Sequence, residues 1–140
     1  MRRTTIRTVG VLLGTLALVV TTTGVANAAS FSYGAYEGGG WGYWQQDPGA
    51  DPRPFQGGTA PGDAIAACDM EADGWGIEVR LDIGRNGSID RKVSTRGHAA
   101  EYCSGWASGD ITPEGTPVRV WVVKVNGTTD YHPVYKDGTA

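Results

Sequence analysis

Two histidines are the residues best suited to acid–base chemistry, because the imidazole pKa lies closest to neutral pH. His98 lies close to Arg96 and Glu101, and His132 precedes a proline. A histidine, a carboxylate and an arginine are the groups with which some small secreted ribonucleases cleave RNA. Histidines in turns and edge strands are more often surface residues without a catalytic role. A hydrolase that uses His98 or His132, with Glu101, is therefore the alternative to a protein without catalytic activity.

An acidic stretch is the second candidate for chemistry: Asp69, Glu71 and Asp73 alternate before Gly74. The spacing is similar to the opening of an EF-hand calcium loop, in which oxygen ligands at alternate positions precede a glycine. The similarity ends at the twelfth position, where Arg80 replaces the glutamate that would bind calcium. The alternatives are a looser calcium site and a solvated acidic turn, and we expect the turn.

The motifs of other enzyme classes are missing from the chain. It contains no Gly-x-Ser-x-Gly, and its glycines lie among aromatic residues without the helix pattern that follows a phosphate-binding loop. We expect no cofactor and no resident metal, and the sequence favours a binding protein over an enzyme.

Aromatic side chains are the clearest candidates for a binding surface. The stretch 29–61 combines many glycines with aromatic residues and several prolines, which is typical either of a partly disordered arm or of exposed rings that bind a sugar or a partner. Further along the chain, Arg119 and Trp121 fall on the polar face of a predicted strand. The predicted binding residues are Trp41, Tyr43, Trp44, Arg119 and Trp121.

Residues 1–28 have the pattern of a secretory signal peptide. Three arginines precede an apolar run, and Ala26-x-Ala28 fits the small-residue site of signal peptidase. We expect an extracellular mature chain that is not held in a membrane. Without those arginines, nine Lys and Arg remain against fifteen Asp and Glu, so the formal net charge changes from −3 to −6. This charge argues against a nucleic acid partner, because phosphate binding needs a positive surface.

Cys68 and Cys103 both lie in the predicted mature chain. An exported protein meets an oxidising environment, so we expect one disulfide between them. The bond would close a loop of 35 residues and stabilise the fold by roughly 4 kcal/mol in a chain-entropy estimate.

The stretch 75–83 alternates apolar and polar residues without a break, which predicts a strand with one buried and one solvated face. An Asn-Gly pair follows at 86–87 and predicts a hairpin. A three-residue loop would pair Val79 with Val93 and so place apolar residues opposite each other.

A second hairpin is predicted at the other Asn-Gly pair, 126–127. A two-residue loop would pair Val118 with Tyr135 and make one face of the hairpin apolar. Pro133 has no N–H to donate, so the last strand should lie at the edge of a sheet.

These patterns predict an all-β fold. The expected architecture is an antiparallel β-sandwich of six to seven short strands with one disulfide, spanning residues 62–140, and the alternative is a small β-barrel. Residues 29–61 would form the arm that precedes this domain, and the segment 36–44 within it is a candidate for an additional strand.

Three passages resemble small secreted, disulfide-containing β-domain proteins of high-GC Gram-positive bacteria. They are the leader end Ala-Asn-Ala-Ala, the run Cys-Asp-Met-Glu-Ala-Asp-Gly-Trp-Gly at 68–76, and Val-Ser-Thr-Arg-Gly-His at 93–98. The similarity covers roughly residues 60 to 125. It implies export and a disulfide-linked β-domain, and it implies no site residues. The predicted function is therefore that of a small secreted protein that binds a polysaccharide or another secreted protein.

Overall fold

Residues 29–140 are described by the structure, a computed structural model, and this range consists of β-strands and loops. The predicted signal peptide lies outside the described residues. Between residues 29 and 140 no helical segment has the length and apolar character needed to cross a membrane. The strands are β1 (Phe31–Gly34), β2 (Gly40–Gln45), β3 (Gly49–Ala50), β4 (Thr59–Ala60), β5 (Ala64–Asp69), β6 (Gly76–Ile83), β7 (Arg91–Ser94), β8 (Tyr102–Cys103), β9 (Pro117–Asn126) and β10 (Thr129–Thr139).

Two four-stranded antiparallel sheets form the fold. The first sheet has the order β1-β2-β5-β8 and the second has the order β10-β9-β6-β7, while β3 and β4 form a small separate pair. The sheets pack face to face and neither closes on itself. The predicted all-β antiparallel sandwich is therefore confirmed, the barrel alternative does not apply, and the expected strand number was too low.

Apolar side chains from both sheets fill the space between them. Trp44 and Ile65 from the first sheet meet Val79, Leu81 and Val120 from the second, and all five are almost fully buried. The alternation predicted along β6 is confirmed on this inner side, because its odd-numbered residues 77, 79 and 81 have no exposed surface. The predicted solvated face is wrong at Glu78 and Asp82, which are only 4% and 3% exposed.

The glycine- and aromatic-rich segment belongs to the sandwich and does not form a separate arm. β2 lies between β1 and β5 in the first sheet, and Trp44 enters the core. The two glycines of β2 that face the second sheet explain the pattern. A Cβ placed on Gly42 would lie 2.5 Å from Cγ2 of Val122, so the missing side chain lets the sheets approach. The candidate strand at 36–44 is therefore confirmed as β2, and it is an integral part of the first sheet.

The first predicted hairpin has the expected register but a longer loop. Val79 pairs with Val93, as predicted, and the ladder ends where Leu81 pairs with Arg91. The predicted three-residue loop is wrong because the Asp82 carboxylate accepts hydrogen bonds from the backbone N–H groups of Asn86 and Gly87, each at 2.9 Å. These bonds hold the turn 82–90 close to the end of β6.

The second hairpin has a different register from the one predicted. The turn falls one residue later than predicted, since Asn126 pairs with Thr129, and the ladder shifts again at a bulge between Tyr131 and Val134. Tyr135 therefore pairs with Trp121 and not with Val118. The bulge contains Pro133, which cannot donate to the ladder. β10 does lie at a sheet edge, as predicted. The shift turns Tyr135 away from the core and onto the outer face of the second sheet.

The disulfide joins two neighbouring strands of the first sheet. Cys68 in β5 pairs directly with Cys103 in β8, and the two sulfurs are bonded. The predicted disulfide is therefore confirmed. A disulfide of this kind is consistent with an extracellular protein.

Candidate functional site

The outer face of the second sheet brings together two aromatic rings and an arginine. Trp121 on β9 and Tyr135 on β10 have ring centroids 4.7 Å apart, with planes inclined at 56°. The guanidinium carbon of Arg119 lies 4.0 Å from the centroid of Tyr135 and 5.9 Å from that of Trp121. A cation over an aromatic face is attracted by the ring electrons, so Arg119 holds both rings in place.

Trp121 and Arg119 border an open groove of about 510 Å³, which we call the Trp121 groove, and Tyr135 packs on Trp121 beside it. The turn 82–90 forms one wall, and the β10 bulge with Pro133 forms the other. Ile89 at the tip of the turn is exposed and adds an apolar surface. The groove thus combines an aromatic floor, apolar edges and charged side chains, as ligand sites do.

Carboxylates hold the arginines of the groove in fixed positions. Asp137 accepts hydrogen bonds from Arg119 at 2.7 and 3.0 Å and from Arg85 at 3.1 Å. These bonds, above all those from Arg119, lower the pKa of Asp137 below its ordinary value. Arg80 binds Glu78 at 2.6 Å and Asp130 at 2.8 and 2.9 Å. The guanidinium groups are therefore pre-organised as donors for a ligand.

The predicted aromatic trio of the segment 29–61 does not form one surface. Trp44 is 1% exposed and belongs to the core, whereas Trp41 and Tyr43 point to the outer face of the first sheet. Trp41 is 46% exposed, and Tyr43 is buried beside the disulfide. Adjacent strand residues point to opposite faces, so Tyr43 and Trp44 cannot share a surface.

A segment of the chain covers the part of the outer face of the first sheet around Tyr43, while Trp41 on the same face stays exposed. Asp51 accepts hydrogen bonds from Arg53 at 2.6 to 3.2 Å and from the Trp106 indole at 3.1 Å, and its pKa is lowered to about 2, chiefly by Arg53. The Arg53 guanidinium also stacks on Trp106 at 4.8 Å and donates to the carbonyl oxygen of Ser104. This network closes the surface above Tyr43, whose pKa is raised by burial.

His98 borders a second pocket, of about 520 Å³, at one end of the sandwich. Asp69, Glu71 and Trp75 also line it, and we call it the acidic pocket. The His98 ring stacks on Tyr102 at 3.7 Å with nearly parallel planes. Burial raises the pKa of the Asp69 carboxyl, the only one of these acids that is almost fully buried.

Two predicted catalytic candidates lie apart from this pocket. Glu101 is exposed, has a left-handed backbone with φ of 62°, and is not part of the pocket wall. His132 packs between Tyr36 and Tyr131, each at a centroid distance of 4.4 Å. The structure therefore does not bring His98, Glu101 and His132 together.

The acidic side chains proposed for calcium binding, Asp69, Glu71 and Asp73, do not form a shared site. Asp69 accepts from the N–H of Glu71 at 3.2 Å, and Asp73 accepts from the N–H of Trp75 at 2.9 Å. Asp73 also pairs with Lys124 at 3.0 Å. Throughout residues 29–140 there is no cluster of three or more His, Cys, Asp or Glu side chains arranged to hold a metal ion.

Tyr135, which packs on Trp121 beside the groove, is the residue of this surface that sequence reasoning missed. The register predicted for the second hairpin placed it in the core, and Pro133 was the signal that a bulge would change this register. Comparisons of the chain with protein-family models, curated proteins and solved structures find no match.

Proposed function

We propose that the protein is secreted and binds a polysaccharide in the Trp121 groove. Support for secretion comes from the signal-peptide pattern of residues 1–28 and from the disulfide. Support for binding comes from a single arrangement, the Trp121 ring and Arg119 in an open groove, with the Tyr135 ring packed beside Trp121.

This arrangement suits a sugar chain. The apolar face of a sugar ring packs on an aromatic ring, and its hydroxyl groups accept hydrogen bonds from fixed donors. Arg85 and Arg119 supply such donors at the groove wall. Protein–protein interfaces are enriched in arginine but depleted of aspartate, so it is the carboxylates Asp82 and Asp137 beside the rings that favour a polysaccharide over a second protein.

The test is a binding assay with the mature chain, residues 29–140, on cellulose, chitin and xylan. Trp121→Ala and Tyr135→Ala should each weaken binding about tenfold or more, as expected for removal of an aromatic anchor. Trp41→Ala is the matched control, because Trp41 is an exposed tryptophan on the other sheet. Equal loss in all three variants, or no binding by the wild type to any of the polymers, would contradict the proposal.

The hydrolase alternative has less support. Its histidine His98 does share a pocket with Asp69 and Glu71, but Arg96 is directed to Glu78 at 3.4 Å and Glu101 lies elsewhere. Incubation of the mature chain with RNA, with His98→Ala beside it, tests this activity. Cleavage by the wild type that disappears in the variant would establish it in place of simple binding.

A further inference from the structure

We propose that the polysaccharide bound in the Trp121 groove carries carboxylate groups, as sugar chains with uronic acid units do. This inference rests on the proposed function, because it assumes that the ligand is a sugar chain. It assigns a role to Arg85 and Lys92, two cations on the outer side of the second sheet whose charge the protein itself does not fully neutralise.

Positive charge gathers at the groove, although acidic residues outnumber basic ones in the chain. Arg80, Arg85 and Arg119 border the groove, and within residues 29–140 Asp82 is the one acid in its wall. The Asp82 carboxylate is only 3% exposed, and its two oxygens accept hydrogen bonds from backbone N–H groups of the turn 82–90. The arginines therefore supply most of the charge that a ligand in the groove meets.

Arg85 keeps hydrogen-bond donors that the protein does not use. Its guanidinium group donates to Asp137 through one nitrogen at 3.1 Å, and its side chain is 44% exposed. The same carboxylate accepts two further bonds from Arg119. One negative charge thus serves two guanidinium groups, so within residues 29–140 most of the five N–H donors of Arg85 lack an acceptor. Arginine binds carboxylates through pairs of parallel hydrogen bonds, so a carboxylate on the ligand matches these donors.

Lys92 supplies a second cation on the same surface. Four outward-facing side chains form a row across the strands of the second sheet, because each is paired with the next in the ladder: Lys92, Arg80, Trp121 and Tyr135. Neighbouring strands lie about 4.8 Å apart, so the row extends over about 14 Å. Lys92 is exposed, and within residues 29–140 it forms no ion pair. A sugar chain that lies along this row contacts the Trp121 ring and reaches a cation without a partner.

A carboxylated sugar chain suits these groups better than a nucleic acid does. Binding of a nucleic acid depends on a positive surface that neutralises many phosphates in succession. Glu78 and Asp130 already engage Arg80 in the middle of the row. Arg85 and Lys92 are therefore the cations beside the groove, in the part of the chain that the structure describes, with charge to spare. Two separated cations match a short run of uronic acid units.

The experiment is a calorimetric titration of the mature chain with tetragalacturonic acid and with its full methyl ester. The two tetramers have the same sugar rings and differ in charge. The acid should bind about tenfold more tightly, as expected for one charge-assisted hydrogen bond. Arg85→Gln should bring this ratio close to one, because glutamine still donates to a hydroxyl group but carries no charge. Lys136→Gln is the matched control and should retain the ratio, since Lys136 lies over the Phe31 ring on the other side of β10.

Salt gives an independent readout with the wild type. Raising NaCl from about 50 mM to about 500 mM should weaken binding of the acid far more than binding of the ester, because salt screens exposed charges. Lys92→Gln should reduce this salt dependence.

Three results would contradict these expectations. Equal affinity of the wild type for both tetramers would overturn the inference while the groove proposal stands. Failure of both tetramers and of the neutral polymers to bind would overturn the proposed function itself. A single-stranded oligonucleotide that binds as tightly as the acid tetramer would show that the groove accepts polyanions in general, and would also overturn the inference.

Discussion

The two outer faces of the sandwich use the same residue types for different purposes. On the first sheet, Asp51 binds Arg53, and Arg53 stacks on Trp106. On the second sheet, Asp137 binds Arg119, and Arg119 stacks beside Trp121. The difference is burial.

The Asp51 side chain is 2% exposed, whereas that of Asp137 is 35% exposed. The segment that carries Asp51 folds back over its own sheet and seals Tyr43 and the disulfide beneath it. No segment of residues 29–140 covers Trp121 and Tyr135 in this way, so the Trp121 groove lies open to solvent. We call this outer surface of the second sheet the open face. An aspartate–arginine pair beside a tryptophan therefore stabilises the fold where the pair is buried, and remains available to a ligand where the pair is partly exposed.

The largest effect on the free energy of unfolding should come from breaking the disulfide beneath the segment that carries Asp51. We call the part of the first sheet under this segment the covered face. The double variant Cys68→Ser, Cys103→Ser should lose roughly 4 kcal/mol of unfolding free energy, because the unfolded chain regains the freedom of a 35-residue loop. Urea unfolding followed by tryptophan fluorescence measures the change. A loss below about 1 kcal/mol would show that the disulfide contributes little to this face.

Asp51 and Asp137 should differ in how much each stabilises the fold. Asp51→Asn should cost roughly 3 kcal/mol, because it leaves the Arg53 charge buried without its partner. Asp137→Asn should cost at most about 1 kcal/mol, because water screens the exposed pair. Equal costs in urea unfolding would contradict the distinction between a covered and an open face.

The glycines of β2 test whether both faces belong to a single sandwich. Gly42→Ala should cost about 2 kcal/mol, because the added methyl group would collide with Val79 and Val122 across the core. Gly57→Ala is the matched control, since a Cβ there meets no atom within 4 Å. Similar unfolding free energies for both variants would mean that β2 does not face the second sheet.

The stability of the protein should also depend on pH through Asp51, which lies on the covered face. The pKa of Asp51 is about 2 in the folded protein, below its ordinary value of 3.8. The carboxylate therefore stabilises the fold above pH 4, and this contribution is lost as the pH falls from 4 to 2. The wild type should lose more stability than Asp51→Asn across this window in thermal unfolding at successive pH values. Parallel curves for the two proteins would contradict this assignment.

The smallest effect on stability is expected on the open face. Trp121→Ala should change the unfolding free energy by at most about 1 kcal/mol, since the side chain is half-buried and lies outside the core. The same substitution should nevertheless have the largest effect on binding. A loss of stability above about 2 kcal/mol would indicate that the ring serves the fold rather than a ligand.

The sequence predicted the strands with regular alternation, but it did not predict that the glycine-rich segment belongs to the sandwich. β6 and the disulfide followed from pattern and chemistry, as did the edge position of β10. β2 was a candidate strand within a separate arm, because its glycines suggested flexibility where tertiary packing requires the absence of a side chain. The loop after β6 depends on the Asp82 carboxylate, and this side-chain hydrogen bonding overrode the turn preference of Asn-Gly.

The candidate site was predictable only in part. Alternation alone placed Arg119 and Trp121 on an outer face, whereas the position of Tyr135 depends on a bulge that shifts the register by one residue. Tyr43 is buried because segments far apart in the chain meet above it, as in the hydrogen bond between Trp106 and Asp51. No local sequence pattern predicts such contacts.

An amide chemical-shift map of the mature chain, recorded during titration with a bound oligosaccharide, tests the central claim most directly. If the open face is the binding surface, the largest shifts should fall on β9 and β10, around Trp121 and Tyr135, and on the turn 82–90. The amides of β2 and of Asp51 and Arg53 should stay unchanged. Shifts centred on Trp41 and the covering segment would contradict the account.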